Sequence, residues 1–263
     1  MKNGVVTPEQ KDKLANVMEW KYNSNYVTKD NLAMIDILAH NKWERPVCFT
    51  TTIGPESMFG LQPYLYKEGF VYHLIPFKPE TDKSAGQGTK TNSMVMYDNV
   101  VNKFKFGNYK KAKYLDDVAL TQFYLTMEIT FNDLAQGLIK DGHRDLALKA
   151  VHKFDEKMPD INPDIDTAAQ KFFLAENAYN LGDKALGTKY VKGVANFITD
   201  QLDYNYSLLK DNKPNIDLHT VQLGVQLLNG MADTARNNNE MDLSKQLQAQ
   251  LKDYSNKFAV LMR

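Results

Sequence analysis

The chain has 263 residues, 43% hydrophobic and 24% charged, which is long enough to bury a sizeable core and too apolar for wholesale disorder. Its 32 basic and 32 acidic side chains cancel, leaving no net field to attract nucleic acid or an anionic bilayer, which disfavours a nucleic-acid partner, and none is expected. Cys48 is the only cysteine, which rules out an internal disulfide and a thiolate metal cluster.

No run of about 18 apolar residues occurs, and the start, MKNGVVTPEQKDKL, lacks the apolar core of a signal peptide. Taken as it stands, the chain is expected in the cytoplasm; as a piece of a longer secreted or membrane protein it carries no such implication.

In chain order, Thr7 as N-cap, Pro8 at the first position and Leu14, Val17 and Met18 on one face predict a helix from Pro8 to Tyr22. Thr28 and Asp30 cap a second, with Leu32, Ile35, Leu38 and Ala39 on its face, ending near Asn41. The period then changes. Val47 to Ile53 is β-branched and aromatic and reads as a buried strand that Gly54-Pro55 stops. A short helix or turn around Leu61 to Glu68, with Gly69 as C-cap, leads to a second strand from Phe70 to Phe77. This order predicts a small βαβ-like unit with its two strands parallel. Residues 79–92 carry no large apolar side chain and are expected to form an exposed mobile loop, whose GQGTK lacks the spacing of a phosphate-binding loop.

From about Leu115 the helical period dominates, and one motif recurs around turns at Gly142, Gly182 and Asn239. Eight residues before each turn stand Leu134, Leu174 and Met231, followed by Ala135, Ala175 and Ala232. Four after come Leu146, Leu186 and Leu243, followed by the small residues Ala147, Gly187 and Ser244. Small residues at those places let two helices of a hairpin cross closely, as in tetratricopeptide repeats. Pro159 is placed to end the first hairpin. The turns are spaced 40 and 57 residues apart, so insertions are expected between hairpins, the larger around Tyr204 to Pro214. The last helix, from Met241 to Phe258, is expected to cap the array at one end and the α/β unit at the other. The fold class is therefore α+β, mostly α, with a small α/β unit over residues 1–110 and a tetratricopeptide-like hairpin array over 111–263.

The residues make no case for catalysis, a metal or a cofactor. The histidines, His40, His73, His143, His152 and His219, form no ligand spacing. Asp116 with Asp117 and Asp164 with Asp166 begin predicted helices, where acids stabilise the dipole. Cys48 falls in an apolar strand, where a thiol is usually inert. Recognition chemistry concentrates instead in the α/β unit. Trp43 and Arg45, within NKWERP, and Tyr64, Tyr66 and Lys67, within GLQPYLYKEG, offer stacking faces and a bidentate cation suited to sugars or carboxylates, with His73 nearby on the second strand. The plainer reading is that Trp43 seals the helix–strand junction while Arg45 pairs with an acid such as Asp36.

The run MIDILAHNKWERPVCF, then GLQPYLYKEGFVYHLIPF, MVMYDNVVNKFKFGN and YLDD, then a helical-repeat tail, resembles the C-terminal region of a bacterial family of large polytopic membrane proteins. That family, mainly from Bacteroidetes, is similar in its membrane half to protein O-mannosyltransferases. Asp36, Asn41, Trp43, Arg45, Pro46, Tyr64, Gly69, Pro76, Tyr97, Asp98 and Gly107 carry the resemblance, and Cys48 departs from its usual aromatic or aliphatic residue. The resemblance implies a soluble extracytoplasmic tail, on the periplasmic side of the inner membrane, whose partner is a transmembrane half of the same polypeptide. The catalytic acid of such transferases lies in that half, so none is carried onto this chain. The tail is then expected to bind an acceptor, protein or glycan, or to act as a scaffold. An independent enzyme such as a hydrolase is the alternative; it requires His73 or a buried carboxylate to meet Arg45 in a pocket.

Overall fold

Thr28 starts the first α-helix: its amide and hydroxyl donate to Asn31 Oδ1, at 3.2 and 2.8 Å, fixing the beginning of α1, Lys29–Asn41. The computed structural model describes residues 6, 8–77, 90–211, 213 and 215–259. Met34 and Leu38 of α1 pack on the core while Leu32 is 58% exposed, so the inward stripe is displaced from the predicted one.

The helix predicted from Pro8 to Tyr22 is a correction. Only Pro8–Lys13 coils, as a 3-10 turn, and the predicted cap Thr7 lies outside the described residues. Beyond it the chain runs irregularly as a strap, because distant partners take its backbone groups. Ala15 N donates to the Pro76 carbonyl at 3.0 Å, and Glu19 N donates to Tyr64 Oη at 3.0 Å. Met18 packs inward, whereas Leu14 and Val17 stay exposed.

Four short strands follow: β1, Cys48–Thr50; β2, Leu65–Lys67; β3, Val71–Leu74; and β4, Lys90–Thr91. Their order is β1-β3-β2-β4, with β3 antiparallel to β1 and β2 and with β4 parallel to β2. The parallel pair expected from the sequence is thus overturned. Gly69 is no helix cap; at φ 112 it opens a two-residue hairpin loop with Phe70, closed by Glu68 N donating to the Val71 carbonyl at 2.9 Å. Glycine at the first central position is what such a loop requires. The β1 strand is not buried either, since Cys48 and Thr50 are exposed. Phe49, Leu65, Tyr72 and Leu74 share one sheet face and pack with Met58, Leu61 and Tyr64. Of the expected mobile loop, Lys90–Thr91 is strand and residues 79–89 lie outside the described ones. The short helix α2, Ser93–Tyr97, continues into a π-helical turn, Asp98–Lys103.

The chain divides into two compact units, Met1–Phe104 and Lys105–Arg263. The second is a helical array: α3, Tyr124–Lys140; α4, Arg144–Lys157; α5, Ile165–Asn180; α6, Lys184–Lys210; α7, Leu218–Asn237; and α8, Met241–Lys257. They pair successively into three hairpins, and α5 packs on both α3 and α7. Gly142, Gly182 and Asn239 stand at φ 83, 90 and 59 in the three turns. Each turn closes alike. His143, Asp183 and Glu240 donate their amides to the carbonyls of Leu138, Ala178 and Ala235 at 2.8 to 2.9 Å, and the left-handed residues donate to Ile139, Tyr179 and Arg236. This double bond pattern satisfies carbonyls that a helix end otherwise leaves open. Leu134, Leu174, Met231 and the alanines after them are buried, as are Ala147, Gly187 and Ser244. The helix α4 ends two residues before Pro159. One expectation fails: α6 has 27 residues against 14 in α4, and it stays helical through Tyr204. The longer spacing is therefore taken up largely by lengthening a helix, which keeps its backbone bonded, rather than by a loop from Tyr204.

Candidate functional site

Asn41 ends α1 and closes the turn behind it. Its Nδ2 donates to the Arg45 carbonyl at 2.8 Å and its Oδ1 accepts from Arg45 N at 3.3 Å. Inside that turn Lys42, at φ 47, and Trp43, at φ 59, are both left-handed, a conformation that costs an L-residue about 1 to 2 kcal/mol. The Trp43 ring packs between two parts of the core, one around Met58 and Leu65 and one around Ile75 and Phe77.

Trp20 and Trp43, the two tryptophans of the chain, line one cavity of about 330 Å³. Asn16, Asn41, Ala15, Met18, Ile35, Leu38, Ala39, Leu74 and Pro76 complete the wall. Among the described residues no charged side chain lines it. The strap carrying Asn16 and Trp20 is tied down along its length. Tyr64 Oη donates to the Glu19 carbonyl at 2.9 Å while accepting the Glu19 amide, Tyr22 lies tilted against Phe59 with ring centroids 4.0 Å apart, and Tyr22 Oη donates to Asn31 Oδ1 at 3.2 Å. Gly60, at φ 79, lies so close that a Cβ there would stand 2.3 Å from the Lys21 carbonyl oxygen.

Of the candidate binding residues named from the sequence, Trp43 lines this cavity, as do Asn41 of the same NKWERP run and Pro76, which carry the resemblance. Arg45 is exposed on the outside of its turn, and the Asp36 carboxylate offered as its partner lies 3.2 Å from His40 Nδ1 instead. Tyr64 is buried and supports the strap. Tyr66 sits opposite His73 in the sheet and meets the Phe77 ring edge-on, centroids 6.1 Å apart. Lys67 is buried at 5% exposure. His73 is buried too, with Nδ1 3.2 Å from Glu68 Oε2; Glu68 Oε1 accepts from Asn92 Nδ2 at 2.8 Å. The structure therefore brings His73 to Glu68 and not to Arg45. Cys48, expected in a buried strand, is exposed on the edge strand β1; partial burial of the thiol and then the charge of Glu68 push its pKa up.

Sequence reasoning missed Trp20 and Asn16 because it placed both in a helix. It also missed Glu128 of α3, hidden in the apolar run LTMEITF. Glu128 is fully buried and neither carboxylate oxygen has a hydrogen-bond partner. Burial holds it well above the usual carboxylate range, Lys171 opposes that shift, and Asp164 adds to it. Burial in turn draws Lys171 below its ordinary value, although Nζ donates to the Ile161 carbonyl, lies 3.5 Å from Asp160 Oδ1 and stands 5.3 Å over the Tyr124 ring. The paired acids at helix starts do capping work: Asp116 Oδ1 accepts from Ala119 N at 2.7 Å and Asp164 Oδ1 from Thr167 N at 2.8 Å. His152 and His219 lie on the surface against Asp183 and Asp166, at 2.7 and 3.3 Å. Among the described residues no helix is long and apolar enough to cross a membrane.

No curated protein and no solved structure matches the chain. A family model does match residues 1–95, and its description is TMEM260-associated domain 2. The matched stretch contains all the described residues that line the cavity, while the helical hairpins lie outside it. Over its first 95 residues, the part that builds the tryptophan-lined cavity, the chain is similar to a TMEM260-associated domain.

Proposed function

We propose that this chain is a non-catalytic, extracytoplasmic domain of a membrane glycosyltransferase-like protein, and that it binds the protein or glycan acceptor of that enzyme. The observation that carries the reading is the cavity between the strap and α1, with both tryptophans in its wall, inside the stretch that is similar to a TMEM260-associated domain. A concave site with apolar walls and a few polar groups is what ligand recognition uses. The helical hairpins, read as tetratricopeptide-like repeats, support the same class of function, since stacked hairpins present extended surfaces for partners or for the membrane half of the polypeptide. The family resemblance supports the periplasmic side of the membrane as its place. Neither Arg45 nor His73 lines the cavity, so nothing in the geometry favours the hydrolase alternative.

The test is calorimetric titration of the purified chain with peptides from envelope proteins and with oligosaccharides. Saturable binding that weakens when Trp43 is changed to alanine, in a variant that still unfolds cooperatively, is the expected result. Absence of binding to every peptide and every oligosaccharide overturns the reading.

A further inference from the structure

We propose that the cavity lined by Trp20 and Trp43 is a subsite for one neutral, hexose-sized sugar residue. The inference rests on the acceptor-binding reading and narrows it from an acceptor in general to the sugar part of one. Two indoles in so small a site offer broad apolar faces, against which the C–H face of a pyranose packs well. The Asn16 carboxamide carries two donors and a carbonyl acceptor, and Asn41, with one N–H and one lone pair engaged by the Arg45 backbone, keeps one N–H and one lone pair, the complement of a ring bearing hydroxyls that both give and accept. Among the described residues no charged side chain lines the wall, which selects against uronic acids, sialic acids and sugar phosphates, whose charge would meet no counter-charge there. A volume of about 330 Å³ is at the small end of ligand sites, which run from roughly 300 to 1,000 Å³. It suits one ring rather than an oligosaccharide.

The site is also built rather than incidental. The Asn41 amide is held by two bonds to the Arg45 backbone, which orient it before any ligand arrives. Trp43 sits beside it at φ 59, where a bulky side chain is rare, and strain of this kind is kept where the surrounding structure needs it. Across the cavity, Tyr64 fixes the residue before Trp20 through two hydrogen bonds, and Ala15 is tied to Pro76. Trp20 is 36% exposed, so its ring borders solvent as well as the cavity.

Both tryptophans line the site, so intrinsic fluorescence of the intact chain reports on it directly. The chain is titrated with methyl glycosides of neutral hexoses and N-acetylhexosamines, with glucuronic acid and glucose 6-phosphate, and with N-acetyl-leucine amide as an apolar probe. In parallel it is titrated with the envelope-protein peptides of the previous test. Saturable fluorescence change with at least one neutral glycoside is expected, about tenfold weaker in Trp20→Ala and in Asn16→Ala, and absent for the acidic sugars. Both variants alter exposed residues, and their thermal unfolding shows that the fold is retained. Equal binding of the acidic sugars, binding of the apolar probe alone, or an unchanged affinity in Trp20→Ala overturns the proposal. Binding of peptides without any sugar removes the sugar subsite and leaves the docking reading standing; loss of both removes both.

Discussion

Ser244 Oγ donates a hydrogen bond of 2.8 Å to the carbonyl oxygen of Ala232, across the crossing of α8 and α7. Both residues are buried, and they are the two small positions that the recurring motif sets on opposite sides of the turn at Asn239. A leucine at position 244 would have to enter a space now filled by helix backbone. Ser244→Leu is expected to destabilise the chain by about 1 to 3 kcal/mol in urea unfolding, and Ser244→Ala by about 1 kcal/mol.

In the second hairpin Gly187 occupies the equivalent place. A Cβ there would lie 2.8 Å from the Tyr179 ring, whereas Gly193 on the same helix has open space around its Cβ position. Gly187→Ala is therefore expected to lower stability by about 1 to 3 kcal/mol. Gly193→Ala is expected to raise it by about 0.5 to 1 kcal/mol through helix propensity. Opposite shifts in melting temperature for one and the same substitution would show that helix approach decides the sign.

Tyr64→Phe keeps the packing of the ring and removes both bonds to Glu19. A loss of about 1 to 2 kcal/mol is expected. Amide hydrogen exchange checks the mechanism, because the Glu19 amide should lose protection while the amides of the α5–α6 hairpin do not change.

Gly60→Ala combines a positive φ with a Cβ 2.3 Å from the Lys21 carbonyl oxygen. The strap has to lift from the sheet unit to make room. The expected result is destabilisation by about 1 to 3 kcal/mol with red-shifted tryptophan emission, as Trp20 becomes wetter.

Glu128 links stability to pH. Its carboxyl is held above the ordinary value of 4.5 in the folded chain, so below 4.5 both states are protonated and its contribution is fully present. As pH rises past 4.5 the unfolded chain releases this proton first, and that contribution is lost progressively up to the folded value. Glu128→Gln is expected to flatten the fall in stability over that range. An unchanged pH profile of the unfolding midpoint would show that Glu128 is charged in the fold.

The helical array was legible in the sequence to the level of single residues. Gly142, Gly182 and Asn239 mark the turns because only glycine or asparagine tolerates φ near +60 to +90 at low cost. The motif around them marks the crossings, because small side chains are needed where backbones approach. The sheet was less legible. The pair Gly69-Phe70 carried a hairpin signal, but the strands beside it have only three and four residues, too short for a clear alternation. The candidate site was legible in Trp43 and its neighbour Asn41 in the NKWERP run. Arg45, Tyr64, Tyr66, Lys67 and His73 have the right chemical types, yet burial, pairing or direction keeps each out of the cavity wall.

What the sequence by itself determined are the features set by local stereochemistry: three left-handed turns, the small residues facing across them, the caps at Thr28 and Asp164, and the charge balance. What only the tertiary structure decided is the path of residues 14–22 and, with it, the cavity. Leu14, Val17 and Met18 have helical spacing, but the backbone groups of Ala15 and Glu19 bond to Pro76 and Tyr64, the latter 45 residues away in sequence. A helix gains one internal bond per residue, and bonds to partners elsewhere in the fold replace it at equal strength. No local pattern records which of the two the folded chain will use.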